Sequence, residues 1–390
     1  MLSELYMCSY DKEVIMKLTV WLMVVIMAVS MVSCGKKGAD SVMVKVKAAW
    51  VPKDLGLANP PEKSGIYKDM IFYSEETADK FIVHFTDETG IEKKSVVIKR
   101  GKGPGEIAFI MAMRVVNDKM YMYDIGSQKV LITDMDGKYV DDIALNDQIG
   151  AFGALDIMDD TLYYHAMMGN KISKVNLADG NLVKSIPWEN PITDFSDIGG
   201  KEFTRGIVRA DSYDKKFYIA YWNEPYRLEV YSPDLVLEKT LTRPLSEQYE
   251  KALFAAGGRG INGNILISSV DADKNYIYAS FGGGQKTSGT TPQDMKIEGV
   301  PKKYYISVFD KKTGEFTREI TIEKFEMLNG VANIIGVTER SIYLLVVDFG
   351  DSLVNVVKQD EKEKNDVQKQ FGISYGIMIV ENPMYSSEKK

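Results

Sequence analysis

Residues 132–143 read ITDMDGKYVDDI, a β-rich run followed by a short polar turn and a second, alternating run. The turn ends at Gly137, and glycine supplies the positive φ angle that tight hairpin turns require. The stretch therefore predicts a β-hairpin. Four further stretches follow the same pattern: FTDETGIEKKSVVI (85–98), VNLADGNLVKSI (175–186), VYSPDLVLEKTL (230–241) and VFDKKTGEFTREI (308–320).

An aromatic, strand-like run precedes each hairpin, so each unit contains more than two strands. Five such runs are MIFYS at 70, MYMYD at 120, LYYH at 162, FYIAY at 217 and YIYAS at 276. A sixth run, SIYLLV at 341, has LVNVV (353–357) as its expected partner.

Six units of about 40 to 65 residues, each with about four strands, are typical of a six-bladed β-propeller. A pair of β-sandwiches is the alternative, but near-equivalent hairpins in strict succession favour radial repetition. Closing the ring requires strands from both chain ends, and VMVKVKAAW (42–50) and YGIMIVE (375–381) are the candidates. We predict an all-β propeller over 42–383 and a C-terminal tail over 384–390.

Composition excludes several classes of function. The chain has 390 residues, a net charge of −7, two histidines and two cysteines. So few histidines and cysteines cannot supply a zinc site, haem ligation or a disulfide framework, so we expect no metal and no cofactor. Nucleic-acid binding needs a basic face, which the acidic balance argues against.

The N-terminal region predicts a secreted, lipid-anchored protein. From Met16 the chain has a positive charge at Lys17 and an apolar run over 18–31. That run has about 14 residues and a membrane-spanning helix needs about 20, so a signal peptide is favoured over an anchor helix. The following MVSC resembles the lipobox of bacterial lipoproteins, which implies lipidation of Cys34. We predict an over-long start plus signal peptide over 1–33, with the true start at Met16, and a lipidated linker over 34–41.

The glycine-rich stretch RGKGPGEI (100–107) admits two interpretations, a phosphate-binding loop or a corner between two sheets. A dinucleotide fingerprint requires a third glycine where Glu106 stands, and a Walker loop requires Gly-Lys-Ser/Thr before a helix. The flanking runs KKSVVIKR and AFIMAMRVV are strand-like. We interpret the stretch as the crossing between the first two blades, with Gly101, Gly103 and Gly105 supplying backbone angles that other residues tolerate poorly.

The chain resembles the TolB-like six-bladed propeller lipoproteins of Bacteroidales. The resemblance lies in GKGPGE, YMYD, YIYASFGGG (276–284) and YYISVFDKKTGEF (304–316), and it extends over about residues 65–357. It implies the propeller fold and a place in the cell envelope, and it implies no catalytic residues. The run KQDEKEKNDVQKQ (358–370) departs from the pattern, since it replaces a tight hairpin.

Two classes of function fit this fold. Six-bladed propellers of the lactonase type use a carboxylate metal cluster in the central channel, for which Asp156, Glu106 and Asp348 are candidates. Of the two histidines, His84 lies within the apolar run FIVHF and fits a structural role, whereas His165 borders a loop. We favour a binding or scaffold module for a protein, peptide or glycan, with the channel-centred, metal-dependent hydrolase as the alternative.

The expected binding face is the one where blade crossings and the loops between second and third strands emerge. It would collect RGKGPGE, WNEPYR (222–227), GGRGING (257–263) and the long loop 281–303. Because GKKGAD after Cys34 is basic rather than acidic, we expect the protein at the outer membrane, facing the periplasm. The candidate ligand-binding residues are Arg100, Lys102, Glu106, His165, Trp222, Tyr226, Arg227 and Arg259.

Overall fold

A computed structural model describes most of the chain after residue 39, and every extended element in it is a β-strand. In that part of the chain there is no helix long and apolar enough to span a membrane. The residues described are 40–52, 63–145, 151–190, 201–202, 206–223, 225–245, 249–254, 261–288, 296–298, 304–323, 325, 330–348 and 374–385. The predictions for the signal peptide, Cys34, Arg259, LVNVV and residues 386–390 lie outside them.

The strands form six sheets, which we call blades 1 to 6. Two strands precede the repeats, β1 (Asp40–Val44) and β2 (Val46–Trp50). Blade 1 contains β3 (Ser64–Tyr67), β4 (Met70–Glu76), β5 (Lys80–Thr86) and β6 (Glu92–Lys99). Blade 2 contains β7 (Ile110–Val116), β8 (Lys119–Asp124), β9 (Lys129–Asp134) and β10 (Tyr139–Ala144).

Blade 3 contains β11 (Ala151–Met158), β12 (Thr161–Met168), β13 (Asn170–Asn176) and β14 (Leu182–Pro187). Blade 4 contains β15 (Gly206–Asp211), β16 (Lys216–Tyr221), β17 (Arg227–Tyr231) and β18 (Leu237–Thr242). Blade 5 contains the short β19 (Leu253–Phe254), β20 (Ile261–Ala272), β21 (Tyr276–Ser288), the short β22 (Lys296–Glu298), β23 (Tyr305–Asp310) and β24 (Phe316–Ile322). Blade 6 contains β25 (Gly330–Val337), β26 (Ser341–Asp348) and β27 (Ser374–Glu381), with β2 at its outer edge.

The first full strands of the blades contact one another in a closed ring. β3 contacts β7, β7 contacts β11, β11 contacts β15, β15 contacts β20, β20 contacts β25, and β25 returns to β3. Six antiparallel sheets arranged radially around such a ring form a six-bladed β-propeller. The predicted fold is therefore confirmed.

The ring is closed by strands from the two ends of the propeller. β2 pairs with β27 in antiparallel register, from Val46 opposite Val380 to Trp50 opposite Ile377. This is the closure predicted from VMVKVKAAW and YGIMIVE. The structure adds that β1 lies beside β24 at the outer edge of blade 5, where the Glu323 amide donates to the Val44 carbonyl at 3.0 Å.

The predicted pairing of SIYLLV with LVNVV (353–357) is wrong. β26 has β25 on one side and β27 on the other, so both of its edges are taken. The strand that was expected only at the closure is therefore also the third strand of blade 6.

The core lies between neighbouring blades, where the aromatic second strands pack against each other. Tyr123 of blade 2 lies 5.7 Å from Tyr164 of blade 3, ring centre to ring centre. Tyr163, which directly precedes Tyr164, points to the opposite face of the sheet and stacks on Phe217 of blade 4, with the ring centres 4.7 Å apart. Adjacent residues of a strand point to opposite faces of its sheet, so one aromatic run serves two interfaces.

The two ends of the propeller differ in the length of their connections. On one end, which we call the hairpin face, the connections within blades 1 to 6 are two to five residues long. On the other, which we call the crossing face, the strand ends are joined by segments that include residues 51–63, 188–205, 243–260 and 349–373. Part of the predicted loop 281–303 is strand, because β21 continues to Ser288 and pairs with β20 as far as Gly263.

Candidate functional site

The stretch RGKGPGEI forms the crossing from β6 to β7, as interpreted from the sequence. The Gly101 amide donates to the Ile107 carbonyl at 2.9 Å, and the Ile107 amide donates to the Lys99 carbonyl at 3.1 Å. Of its three glycines only Gly105 has a positive φ angle, of 70°. At Gly101 a Cβ would lie 2.0 Å from the Glu106 Oε2, so a larger residue there would require the Glu106 carboxylate to move.

The charged residues of this crossing hold the corner together. The Arg100 guanidinium donates to the Thr77 carbonyl at 2.7 Å and lies 4.8 Å over the Phe81 ring. Glu106 accepts from the Lys99 ammonium at 2.5 Å, and this bond, with one from the Gly103 amide, lowers the pKa of Glu106. Lys102 is exposed to solvent.

A chain of ion pairs links the inner strands of four blades around the channel. Asp156 Oδ1 lies 3.0 Å from the Arg114 Nε, and its Oδ2 lies 3.6 Å from an Arg209 amino group. The Arg209 Nε lies 3.0 Å from Asp271 Oδ1. The side chains of all four residues are at most 15% exposed.

This arrangement bears on the hydrolase alternative. Asp156, its candidate channel carboxylate, is neutralised by two arginines and also accepts from the Ala210 amide at 3.0 Å. Glu106 lies on the crossing between blades, and Asp348 ends β26 in a buried position. Within the described ranges, no group of three histidine, cysteine, aspartate or glutamate side chains is placed to hold a metal ion.

Both histidines lie within blades. His165 on β12 is fully buried, and its Nδ1 lies 2.7 Å from the Lys171 carbonyl oxygen, so this nitrogen carries the proton and donates. His84 stacks on Tyr73 at 5.1 Å, with Glu92 at 2.6 Å from its Nδ1 and Glu75 at 3.0 Å from its Nε2.

The predicted loop WNEPYR joins β16 to β17 on the crossing face. Tyr226 is only 2% exposed and packs among Phe281 and Phe309 in the core between blades 4 and 5. Trp222 is partly buried against the same core. Tyr226 is therefore too buried to contact a surface ligand directly, whereas Trp222 keeps part of its surface exposed.

A polar cluster that the sequence did not reveal lies between blades 3 and 4 on the crossing face. We call it the Lys171 cluster, and its members are Lys171, Trp188, Tyr221, Arg227, Glu229 and Tyr231. The Lys171 ammonium lies 2.8 Å from Glu229 Oε2. It also lies 5.7 Å from the Trp188 and Tyr221 ring centres and 5.8 Å from that of Tyr231.

Glu229 is the buried acceptor of the cluster. The Tyr221 and Tyr231 hydroxyls donate to its Oε2 at 2.8 and 2.5 Å. Burial acts to raise the pKa of Glu229, but the hydrogen bonds from Lys171 and the tyrosines outweigh it and hold the pKa below its usual range. Burial and the neighbouring Glu229 raise the pKa of both tyrosines, so their hydroxyls stay protonated.

Two of the predicted residues contact Tyr221 of this cluster: Arg227, which is a member, and His165, which lies beside it. The Arg227 guanidinium lies 4.2 Å over the Tyr221 ring, and the His165 ring meets Tyr221 edge-on at 5.6 Å. Cationic and aromatic groups in this arrangement can bind a charged ligand. The only sequence signal for the cluster is that Trp188 directly follows a fourth strand, as Arg100 and Arg243 do.

No protein-family model and no curated protein matches the chain. Among solved structures, it is similar to a "Putative exported protein" from Bacteroides fragilis NCTC 9343, with 13% identity over 87% of this chain and 99% of that one, and a TM-score of 0.49. A member of the DUF4221 family from Bacteroides vulgatus shows 11% identity over 86% and 98%, with a TM-score of 0.45. A streptogramin B lyase shows 12% identity over 86% and 98%, with a TM-score of 0.46.

At these identities and TM-scores no activity is carried over to this chain. The assignment of six blades depends on its own strand pairing. Membership of the TolB-like family stays a prediction.

Proposed function

We propose that the protein is a binding or scaffold module of the cell envelope, which captures its partner on the crossing face. The observation that carries this proposal is the difference between the two faces. On the hairpin face the connections have only two to five residues and form tight turns. The crossing face receives the long segments between strands. Long connections on a rigid scaffold are where binding residues concentrate.

The Lys171 cluster supports the same face. It places aromatic rings and two cationic side chains where blades 3 and 4 meet, and aromatic residues and arginine dominate recognition hot spots. The proposed location is the outer membrane, facing the periplasm, through a lipid on Cys34. It is supported by the signal-like run over 16–34 and the basic residues after it. The proposed partner is a protein, peptide or glycan of that compartment.

Site-specific photocross-linking in intact cells tests the proposal without knowledge of the ligand. A benzophenone amino acid replaces Lys102 or Glu189, which are exposed on the crossing face, or Asp136 or Asp234, which are exposed on the hairpin face. We expect a discrete cross-linked species from the first pair only. Cross-links from the hairpin-face pair alone would refute the assignment of the binding face.

A further inference from the structure

Arg227 is held in a defined position by an aromatic ring beneath it. It is the first residue of β17, and its guanidinium carbon lies 4.2 Å from the Tyr221 ring centre. Tyr221 is 1% exposed, whereas the Arg227 side chain is 24% exposed. The charged head therefore rests on a rigid platform and still reaches solvent on the crossing face.

Among the residues that the structure describes, the carboxylate nearest to this guanidinium does not form a hydrogen bond with it. The Arg227 Nε lies 3.9 Å from Glu229 Oε1, which is beyond hydrogen-bond distance. The other oxygen of Glu229 already accepts from Lys171, Tyr221 and Tyr231 at 2.5 to 2.8 Å.

The ionised side chains of the Lys171 cluster have a net charge of one positive unit. It contains two cations, Lys171 and Arg227, and one carboxylate, Glu229. Since burial keeps the two tyrosine hydroxyls protonated, they add no negative charge. The carboxylate lies close to the buried lysine, so the uncompensated charge is the partly exposed one.

Within the described part of the chain, two other arginines stack on aromatic rings, and both are hydrogen-bonded. Arg100, over Phe81, donates to the Thr77 and Ala108 carbonyls. Arg243, over Tyr305 and Phe316, donates to Ser307 at 3.0 Å and to Glu319 at 3.1 Å. Among the residues that the structure describes, Arg227 has no hydrogen-bond acceptor of this kind. Stacking on an aromatic ring therefore does not by itself explain why Arg227 lacks such an acceptor.

We propose that Arg227 is the binding site for a carboxylate of an acidic peptide segment presented by the partner. A guanidinium offers parallel N–H groups that match the two oxygens of a carboxylate, and a stacked guanidinium is already oriented for it. Tyr221 lies beneath it and Trp188 belongs to the same cluster, and aromatic residues together with arginine are typical of protein-recognition hot spots. The inference rests on the proposed function, because it assumes that the crossing face is the binding face.

The test uses the mature protein labelled with ¹⁵N-arginine and follows the side-chain Nε–H resonances by NMR. The probe is the peptide Ac-Asp-Gly-Asp-NH₂, and the matched control is Ac-Asn-Gly-Asn-NH₂. The Arg227 resonance is the one missing from the spectrum of Arg227→Lys. We expect it to shift and saturate at an acidic-peptide concentration of about 20 mM or below, since single-contact sites bind in the millimolar range.

The Arg243 resonance serves as the internal control and should not move. Equal shifts with the two peptides, or no shift of the Arg227 resonance, would overturn the proposal. Glucuronate is added in a separate titration, and a response to it without a response to the acidic peptide would also overturn the peptide assignment. Cross-links from the crossing face together with a silent Arg227 would reject this inference alone and leave the proposed function standing.

Discussion

Trp50, at the end of the outermost strand of blade 6, β2, lies 5.9 Å from Tyr73 of blade 1, ring centre to ring centre. Trp50 is 7% exposed, and a Cβ at Gly90 would lie 2.8 Å from its ring. β2 therefore does more than complete the sheet of blade 6, since its tryptophan also packs at the junction between blade 6 and blade 1.

Replacement of Trp50 with alanine should destabilise the propeller by about 3 to 5 kcal/mol, the usual cost of truncating a buried aromatic side chain to alanine. Urea unfolding followed by far-UV circular dichroism measures this cost. Met43→Ala is the control. Met43 lies on β1, the strand that precedes β2 along the chain, and is 69% exposed, so its replacement should change stability little. A cost for Trp50→Ala no larger than that of the control would show that the junction does not depend on the tryptophan.

Replacement of Asp156 with asparagine should also be strongly destabilising. Its carboxylate lies between Arg114 and Arg209, and removing one partner from a buried ion pair costs about 3 to 5 kcal/mol. Asp159→Asn is the matched control, because its pair with Lys215 is more than half exposed and is worth about 0 to 1 kcal/mol. Thermal and urea unfolding of both variants should separate them, and similar stabilities would refute a structural role for the channel pairs.

The stability that Glu229 contributes should depend on pH. Its pKa is lowered in the folded protein, so its contribution is present above the unfolded pKa of about 4.3 and is lost as the pH falls through the folded value. The stability difference between wild type and Glu229→Gln should therefore narrow from about pH 7 to about pH 3. Urea unfolding at intervals over this range measures it. A constant difference would mean that the ionised form is not the one stabilised.

Two glycines of the corner should respond differently to alanine. Gly105 has a φ of 70°, a conformation that costs a residue with a Cβ roughly 1 to 2 kcal/mol. Gly103 has no such angle, and a Cβ there would meet only the end of the flexible Glu106 side chain, at 3.1 Å. Gly105→Ala should thus lower the free energy of unfolding more than Gly103→Ala. Equal costs would contradict this account of the turn.

Replacement of Cys34 with serine should release the protein from the membrane fraction or leave an unprocessed precursor, because only the cysteine thiol can form the thioether to the lipid. Fractionation and mass spectrometry of the N-terminus measure this. Cys8→Ser is the control and should leave anchoring unchanged, since Cys8 precedes the proposed start at Met16. A processed and still anchored Cys34→Ser protein would refute the lipidation.

The fold was predictable because its information is local. Each blade repeats one order of aromatic strand, turn and alternating strand, and the turns carry glycine where the backbone requires it, as at Gly90, Gly137 and Gly314. The pairing of SIYLLV was not predictable in this way. Its true partner, β27, is separated from it by residues 349–373, and periodicity contains no information about which of two later strands pairs.

The candidate site was predictable only in part. Arg227 was selected because it follows an aromatic turn, but its relation to Lys171 and Glu229 depends on how blade 3 packs on blade 4. Tyr226 shows the opposite limit, since its type suits a binding surface, but its side chain packs into the core between blades 4 and 5. Residue type and spacing predict which loops lie on the crossing face, and the contact between blades determines which side chains meet there.

The pairing of β2 with β27 has a consequence for the order in which the chain can fold as it is synthesised. β2 leaves the ribosome before any blade, yet its partner β27 leaves after all of them. Until β27 is present, β2 is an unpaired edge, and such edges promote aggregation. A ring that closes through its most distant segments also folds slowly. We therefore expect the ring to stay open until synthesis of the chain reaches β27.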